Sequence, residues 1–241
     1  MKRKSFVMET IHALINLLFP RKCVVCGHRL MQDEAHLCLQ CLGNMPHTLY
    51  HLYPGNPLEQ RFYGSIDIKK IAGYFYYSPE SPYHQIIHQI KYYGHTELGI
   101  YMGRCMATHL LTGNEDFFHD IHAIVPVPLA AKRQHQRGYN QCELLAEGIS
   151  KVTGLPVMAH AMRRTVDNPT QTHLTDTERW ENVKGIFEFD PSYKHLLEGK
   201  HILLIDDVTT TGATLTACAK ALTSGLDKCE ISIAALGVTI R

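Results

Sequence analysis

The sequence predicts an α/β protein in two parts. A parallel-sheet domain flanked by helices spans 61–241, and a small cysteine-bearing module with an N-terminal helix and a linker spans 1–60. Three observations predict it. First, Ile202 to Ile205 is an unbroken apolar run, the pattern of a strand buried on both faces of a parallel sheet. Second, further runs rich in strand formers alternate with stretches of helical periodicity, as βα units do. Third, two C-x-x-C pairs stand close together between Cys23 and Cys41, away from the other cysteines.

Composition sets the bounds. At 241 residues the chain can hold one large domain or a small one plus a medium one. Hydrophobic content of 45% and charged content of 20% are an ordinary globular balance. A net charge of +1 excludes global attraction to nucleic acid or membrane, so any such contact needs a local patch. No apolar run reaches the roughly 18 residues of a membrane-spanning helix, and no membrane insertion is expected. Lys2-Arg3-Lys4 begins like a secretory leader. The stretch after it is broken by Glu9, His12 and Asn16 and lacks a small-residue cleavage site, so a cytoplasmic protein is expected.

Taken in order, residues 6–19 place Ile11, Leu14, Ile15 and Leu18 at helical spacing, and Pro20 ends the helix. Its polar face lacks the basic enrichment of an interfacial helix, so it docks on the body of the protein. Cys23-x-x-Cys26-Gly27 and Cys38-x-x-Cys41, eleven residues apart, have the arithmetic of a four-thiolate zinc ribbon. Gly27 allows the tight knuckle each pair needs. With all four positions filled by protein, the Zn²⁺ is structural. Two disulfides or free thiols are the alternatives, and His28 and His36 stand nearby as substitute ligands. Residues 44–66, with Pro46, Pro54, Gly55, Pro57 and Gly64, read as a linker.

Ile66–Tyr77 reads as a strand, and Ser81-Pro82 opens a helix that buries Ile86, Ile87 and Ile90. His84 and His88 are four apart but lack an acidic partner for a metal. After Lys91-Tyr92-Tyr93-Gly94, Thr96 caps a helix carrying Leu98, Met102, Met106 and Leu110. Ile121–Val127 is the first core strand of the second part. Lys132, Arg133, His135 and Arg137 then form a basic loop, and Asn140 with Glu143 caps the next helix. Pro156–His160 reads as a strand, and 163–175 as a polar loop long enough to signal function. Thr175 with Glu178 forms a capping box for a short helix carrying Trp180 and Val183. Ile186–Phe189 and Cys229–Val238 complete the strands, and Cys105, Cys142, Cys218 and Cys229 are core residues.

The candidate site follows Ile205. Asp206 and Asp207 come where that strand leaves the sheet. Val208, Thr209, Thr210, Thr211, Gly212, Ala213 and Thr214 then form a hydroxyl-rich turn running into an apolar helix. Backbone N–H groups and the helix dipole favour an anion at such a turn. Ligands of open α/β sheets sit at the carboxyl ends of strands. The turn can wrap a phosphate, and the two carboxylates can accept from vicinal ribose hydroxyls. The alternative is a plain capped turn with solvated aspartates, but capping alone needs no paired carboxylates. The basic stretch at 132–137 is a solvated loop or an anion contact; beside the threonine turn it reads as a phosphate or pyrophosphate contact.

The turn resembles the phosphoribosyl-pyrophosphate (PRPP) motif of the type I phosphoribosyltransferases. Together with the paired cysteines, Lys91-Tyr92-x-Gly94, Val125-Pro126-Val127-Pro128-Leu129, Arg137-Gly138-Tyr139-Asn140-Gln141, and Gln171-x-x-Leu174 with Arg179-x-x-Asn182-Val183, it resembles the ComF/GntX family. These are competence-associated, phosphoribosyltransferase-like proteins. The resemblance implies a type I phosphoribosyltransferase-like domain after a zinc ribbon. It implies that Thr209 to Thr214 hold the 5-phosphate and that Asp206 and Asp207, the catalytic pair, bind the ribose directly or through Mg²⁺-bound water. Arg133 and Arg137, with Lys132, would face the pyrophosphate, and Arg163, Arg164 and Gln171 would ride on the loop that closes over it. Acceptor specificity would lie in a hood at 61–120. Two roles follow from the resemblance. One is a glycosyltransferase moving phosphoribosyl from PRPP to a nitrogen acceptor. The other is a PRPP- or nucleotide-binding protein without turnover, acting in DNA uptake and contacting single-stranded DNA or competence-machinery proteins.

Overall fold

The computed structural model describes residues 20–165 and 185–240. The expected helix at 6–19, Gln171, and the capping box from Thr175 to Glu178 with its short helix lie outside the described residues.

The centre is a four-stranded, all-parallel sheet. Its strands are β1 (Ile71–Tyr77), β2 (Ala123–Pro126), β5 (His201–Thr209) and β6 (Glu230–Thr239), in the order β1-β6-β5-β2. The inner strands β5 and β6 are buried almost end to end, which explains their unbroken apolar sequence. Strands β3 (Met162–Arg164) and β4 (Phe187–Phe189) form a separate antiparallel pair. The strand expected at 156–160 shrinks to a single parallel bridge between Ile124 and Val157. Pro156 has no N–H to donate to a ladder, and a turn follows at 159–160.

The two faces of the sheet carry two cores. Leu203, Ile205, Ala234 and Leu236 face α2 (His84–Tyr92), α3 (Thr96–Gly113) and α5 (Gln141–Thr153). Ile202, Leu204, Ile231 and Ile233 face α7 (Ala213–Gly225). This alternation along β5 decides which side each aspartate meets. Helices α3 and α5 touch backbone to backbone. A Cβ at Gly103 would lie 2.2 Å from the Leu145 carbonyl oxygen, and one at Gly148 would lie 2.2 Å from that of Ile100. This contact draws the N-terminal end of α5 against the sheet, where Cys142 sits.

The cysteine module is continuous with the first core. Cys23 and Leu37 are buried in it, and Tyr83 donates its hydroxyl to the Cys41 carbonyl at 2.9 Å. Residues 44–66, expected as a linker, are packed on the body. Leu58 and Phe62 are fully buried. The Asn56 amide donates to the Tyr50 and Tyr53 carbonyls at 3.0 and 3.1 Å and accepts from the Leu58 and Glu59 N–H groups at 3.1 and 3.0 Å. Proline and glycine there shape turns, while the few apolar residues between them do the anchoring. The same stretch brings His47 into a stack with His109 at 4.0 Å between ring centroids, with His51 beside them. Burial, helped by the two neighbouring imidazoles, pushes His109 down to about 4, and burial lowers His47 and His51 as well.

Candidate phosphosugar and metal sites

Strand β5 does not end at Ile205. Its ladder with β6 continues through Asp206 opposite Ala235, Val208 opposite Gly237 and Thr209 opposite Val238. Both aspartates therefore lie within the sheet and are buried, not at the point where the strand leaves it. The residue opposite Asp206 on β6 is the small Ala235.

Alternation sends the two side chains to opposite faces. Asp206 Oδ1 accepts from the Asp207 N–H at 2.8 Å and from the Cys142 thiol at 3.5 Å. Burial, reinforced by the charge of Asp207, raises the Asp206 carboxyl to about 7; Lys91 and these hydrogen bonds offset only part of that. Asp207 Oδ2 lies 2.9 Å from the ammonium of Lys91, at the end of α2. Burial acts to lower the Lys91 pKa, but the Asp207 and Asp206 charges more than reverse this, so it lies above the usual lysine value. Lys91 is the residue the sequence reading missed. Only its place in the Lys91-Tyr92-x-Gly94 stretch marked it.

The turn that follows has the geometry of an anion cradle. Gly212 adopts a left-handed conformation (φ 83°), and a Cβ there would meet the Phe62 ring at 2.9 Å. Thr211 Oγ1 accepts from the Ala213 N–H at 3.2 Å, opening the thirteen-residue helix α7. The first turn of a helix leaves N–H groups without intrahelical partners, and these face the carboxyl end of β5. Arg61 fixes the other side. Its guanidinium donates to the Thr210 carbonyl at 2.5 Å and to the Thr239 carbonyl at 2.6 Å, tying the turn to the end of β6.

The basic stretch is a helix, α4 (Ala131–Arg137), and not a loop. Alanine, lysine, arginine and glutamine all favour helix, and Gly138 closes it in a left-handed conformation at φ 82°. Asn140 caps α5 as expected, accepting from the Cys142 N–H at 3.0 Å. Arg133 and Arg137 line a cavity of about 410 Å³ together with Lys91, Tyr92, Gly94 and Tyr139. Arg137 stacks over the Tyr92 ring at 5.6 Å and donates to Gln141, and Tyr139 donates to the Ile90 carbonyl. Lys132 is exposed and is not part of this lining. Arg163 and Arg164 belong to β3 and not to a loop. Arg163 is paired with Glu188 at 2.8 Å, and Arg164 lies over the Phe187 ring at 5.6 Å. The structure thus brings Asp206, Asp207, Arg133 and Arg137 near Lys91, joins the threonine turn to Asp207 along the chain, and leaves Arg163 and Arg164 on the separate β3–β4 pair.

The ligand sulfurs of Cys23, Cys26, Cys38 and Cys41 all lie within 4.8 Å of one another, with Cys26 and Cys38 at 3.7 Å. A tetrahedral zinc with bonds of about 2.3 Å holds its sulfurs roughly 3.8 Å apart, so the four residues fit that ion. Gly27 (φ 73°) donates to the Cys23 carbonyl at 2.9 Å to close the first knuckle. The Cys38 N–H donates to the Cys23 sulfur at 3.4 Å. Among the described residues His84 and His88 gather no third ligand; His84 Nδ1 instead lies 2.8 Å from the Ser81 carbonyl. No helix among the described residues is long and apolar enough to cross a membrane.

Residues 14–52 match the double zinc ribbon domain family. The DNA utilization protein YhgH of Escherichia coli K12 is 30% identical over 206 residues, covering 83% of each chain. Competence protein F of Haemophilus influenzae is 28% identical over 220 residues, covering 90% of this chain and 91% of that protein. Competence protein ComFC of Bacillus subtilis is 36% identical over 99 residues, 41% of this chain and 37% of that one. Among solved structures, an adenine phosphoribosyltransferase from Thermoanaerobacter pseudethanolicus overlaps 61% of this chain and 82% of its own, with 16% identity and a TM-score of 0.34. An overlap that shallow assigns no activity.

Two outcomes follow from the site. The Asp206 carboxyl is raised above its unfolded value, so its contribution to stability is full below about pH 4 and is lost as pH rises through about 7. Asp206→Asn removes that loss. Urea midpoints of the two proteins should diverge from pH 4.5 to pH 8, the variant gaining a few kcal/mol on the wild type; parallel profiles would rule the buried acid out. For the cysteine cluster, elemental analysis should return about one zinc per chain, and chelation should lower the melting temperature. Less than about half an equivalent, with melting unmoved by chelator, would reject the site.

Proposed function

The chain belongs to the ComF/GntX family, and from that premise we propose that it binds PRPP or a closely related phosphosugar at the Asp206–Thr214 turn. One observation supports this above the rest. Two adjacent buried carboxylates run directly into a left-handed glycine turn at the N-terminus of a long helix. The helix N-terminus suits the 5-phosphate, and Asp206 and Asp207 suit the ribose hydroxyls. The cavity lined by Arg133 and Arg137 suits the diphosphate. Mg²⁺ arriving with the diphosphate would supply further charge neutralisation, through water held by Asp206 and Asp207.

With a nitrogen nucleophile, the chemistry at this site is displacement at the anomeric carbon. The bond from that carbon to the diphosphate oxygen breaks, a carbon–nitrogen bond forms, and diphosphate leaves with the electron pair. The nitrogen releases its proton to solvent. The chain's part is to hold the sugar, orient it, and offset charge on the leaving group. The second reading is supported by the relatives named for DNA utilization and competence: the cytoplasmic protein binds the phosphosugar or a nucleotide without turnover and works in DNA uptake or use.

Titration calorimetry with PRPP should show Mg²⁺-dependent binding that Asp207→Ala weakens at least about tenfold. No heat in either condition would remove the phosphosugar reading. Diphosphate release from PRPP with a panel of amines and bases would identify the transferase; binding without release above background favours the non-catalytic role. In that role, single-stranded DNA should bind at low salt with an affinity that falls steeply as salt rises. Absence of binding at low salt would exclude direct DNA contact.

A further inference from the structure

Lys91 faces two ways. Its ammonium lies 2.9 Å from Asp207 Oδ2, and it lines the same cavity as Arg133, Arg137 and Tyr139. An ammonium carries three donors, and the Asp207 contact uses one. The side chain keeps 23% of its surface exposed, so the remaining donors are not walled off. Electrostatics sharpen the point. A diphosphate bound beside Arg133 and Arg137 would stand close to two carboxylates of its own sign, both of them buried. Like charges at short range in such surroundings cost more than they do in bulk solvent. The cation that lies between the two groups is Lys91.

Resting on the phosphosugar reading above, we propose that Lys91 is a ligand-contact residue whose ammonium bridges the Asp207 carboxylate and the diphosphate of the bound sugar. Its place at the end of α2, next to Tyr92 and Gly94, makes this helix a part of the binding site and not only a cover on the sheet. The bridge links the two halves of the ligand's recognition. Asp207 orients the ammonium that meets the diphosphate, and the ammonium neutralises the carboxylate that meets the ribose. It also sets a preference for sugars that carry a second anionic group over those that carry only the 5-phosphate.

The test compares PRPP with ribose 5-phosphate by calorimetry in Mg²⁺, using the full chain. Wild type should bind PRPP more tightly. Lys91→Met should weaken PRPP at least about tenfold, the size of one charge-assisted hydrogen bond, and change ribose 5-phosphate less than about threefold. Lys91→Arg, which keeps the charge, should recover part of the PRPP affinity. Equal losses for both ligands, or no loss for either, would overturn the bridge while leaving the phosphosugar reading in place. Wild type binding neither ligand would remove that reading and the bridge with it. Because Lys91→Met leaves Asp207 buried without its partner, the pair Lys91→Met with Asp207→Asn serves if the single variant unfolds. Against Asp207→Asn alone, the double variant should lose the preference for PRPP, and an unchanged preference counts against the proposal.

Discussion

Two carboxylates side by side in a sheet interior form a costly arrangement, and much of this fold is placed to tolerate it. Desolvation and mutual repulsion both oppose a charged pair there. The relief comes from three directions. Lys91 reaches in from the end of α2, Cys142 from the first turn of α5, and the Asp207 N–H from the strand itself. Each depends on something further away. Lys91 is in reach because Ile86, Ile87 and Ile90 seat α2 on the sheet, and Cys142 because α5 lies hard against α3. The relief is partial, since the Asp206 carboxyl is still raised to about 7. A site left under this tension gains more from a ligand that offers hydroxyl donors or a cation than a relaxed one would.

The phosphate turn is held in a different way, by backbone geometry and one arginine. Gly212 allows the reversal, the Phe62 ring fills the space a side chain would have taken, and Arg61 links the turn to the end of β6. Phe62 and Arg61 both come from the stretch between the cysteine module and the first strand. That stretch therefore joins the zinc-ribbon end of the molecule to the candidate ligand site.

Legibility followed the range of the interactions. The cysteine knuckles, the apolar run of β5, the hydroxyl-rich turn after it and the Asn140 cap are local, and each is visible in a few neighbouring residues; the left-handed conformation of Gly212 is not. Interactions across the chain are not. Lys91 finds Asp207, and Arg61 finds Thr210 and Thr239, only once the sheet has formed. The basic stretch was read by its charge, as a loop, when its alanine, lysine and glutamine already favoured a helix. β5 runs further than its charge predicts, because charged residues rarely occupy the middle of a parallel sheet; here Asp206 lies opposite the small Ala235 and Asp207 pairs with Lys91. Residues 44–66 mislead in the opposite sense: their prolines and glycines suggest a linker, while apolar residues such as Leu58 and Phe62 decide their packing.

The contact between Gly103 and Gly148 has a consequence for how this protein can change over generations. Each glycine occupies the hollow left by the other, and a first methyl at either one meets a carbonyl oxygen of the facing helix. Neither position can drift alone toward the alanine that a helix interior prefers. A lineage that replaced one would have to separate α3 from α5 and so withdraw Cys142 from Asp206. The pair is thus an epistatic lock, through which a remote helix crossing restrains the evolutionary freedom of the sheet's acidic centre.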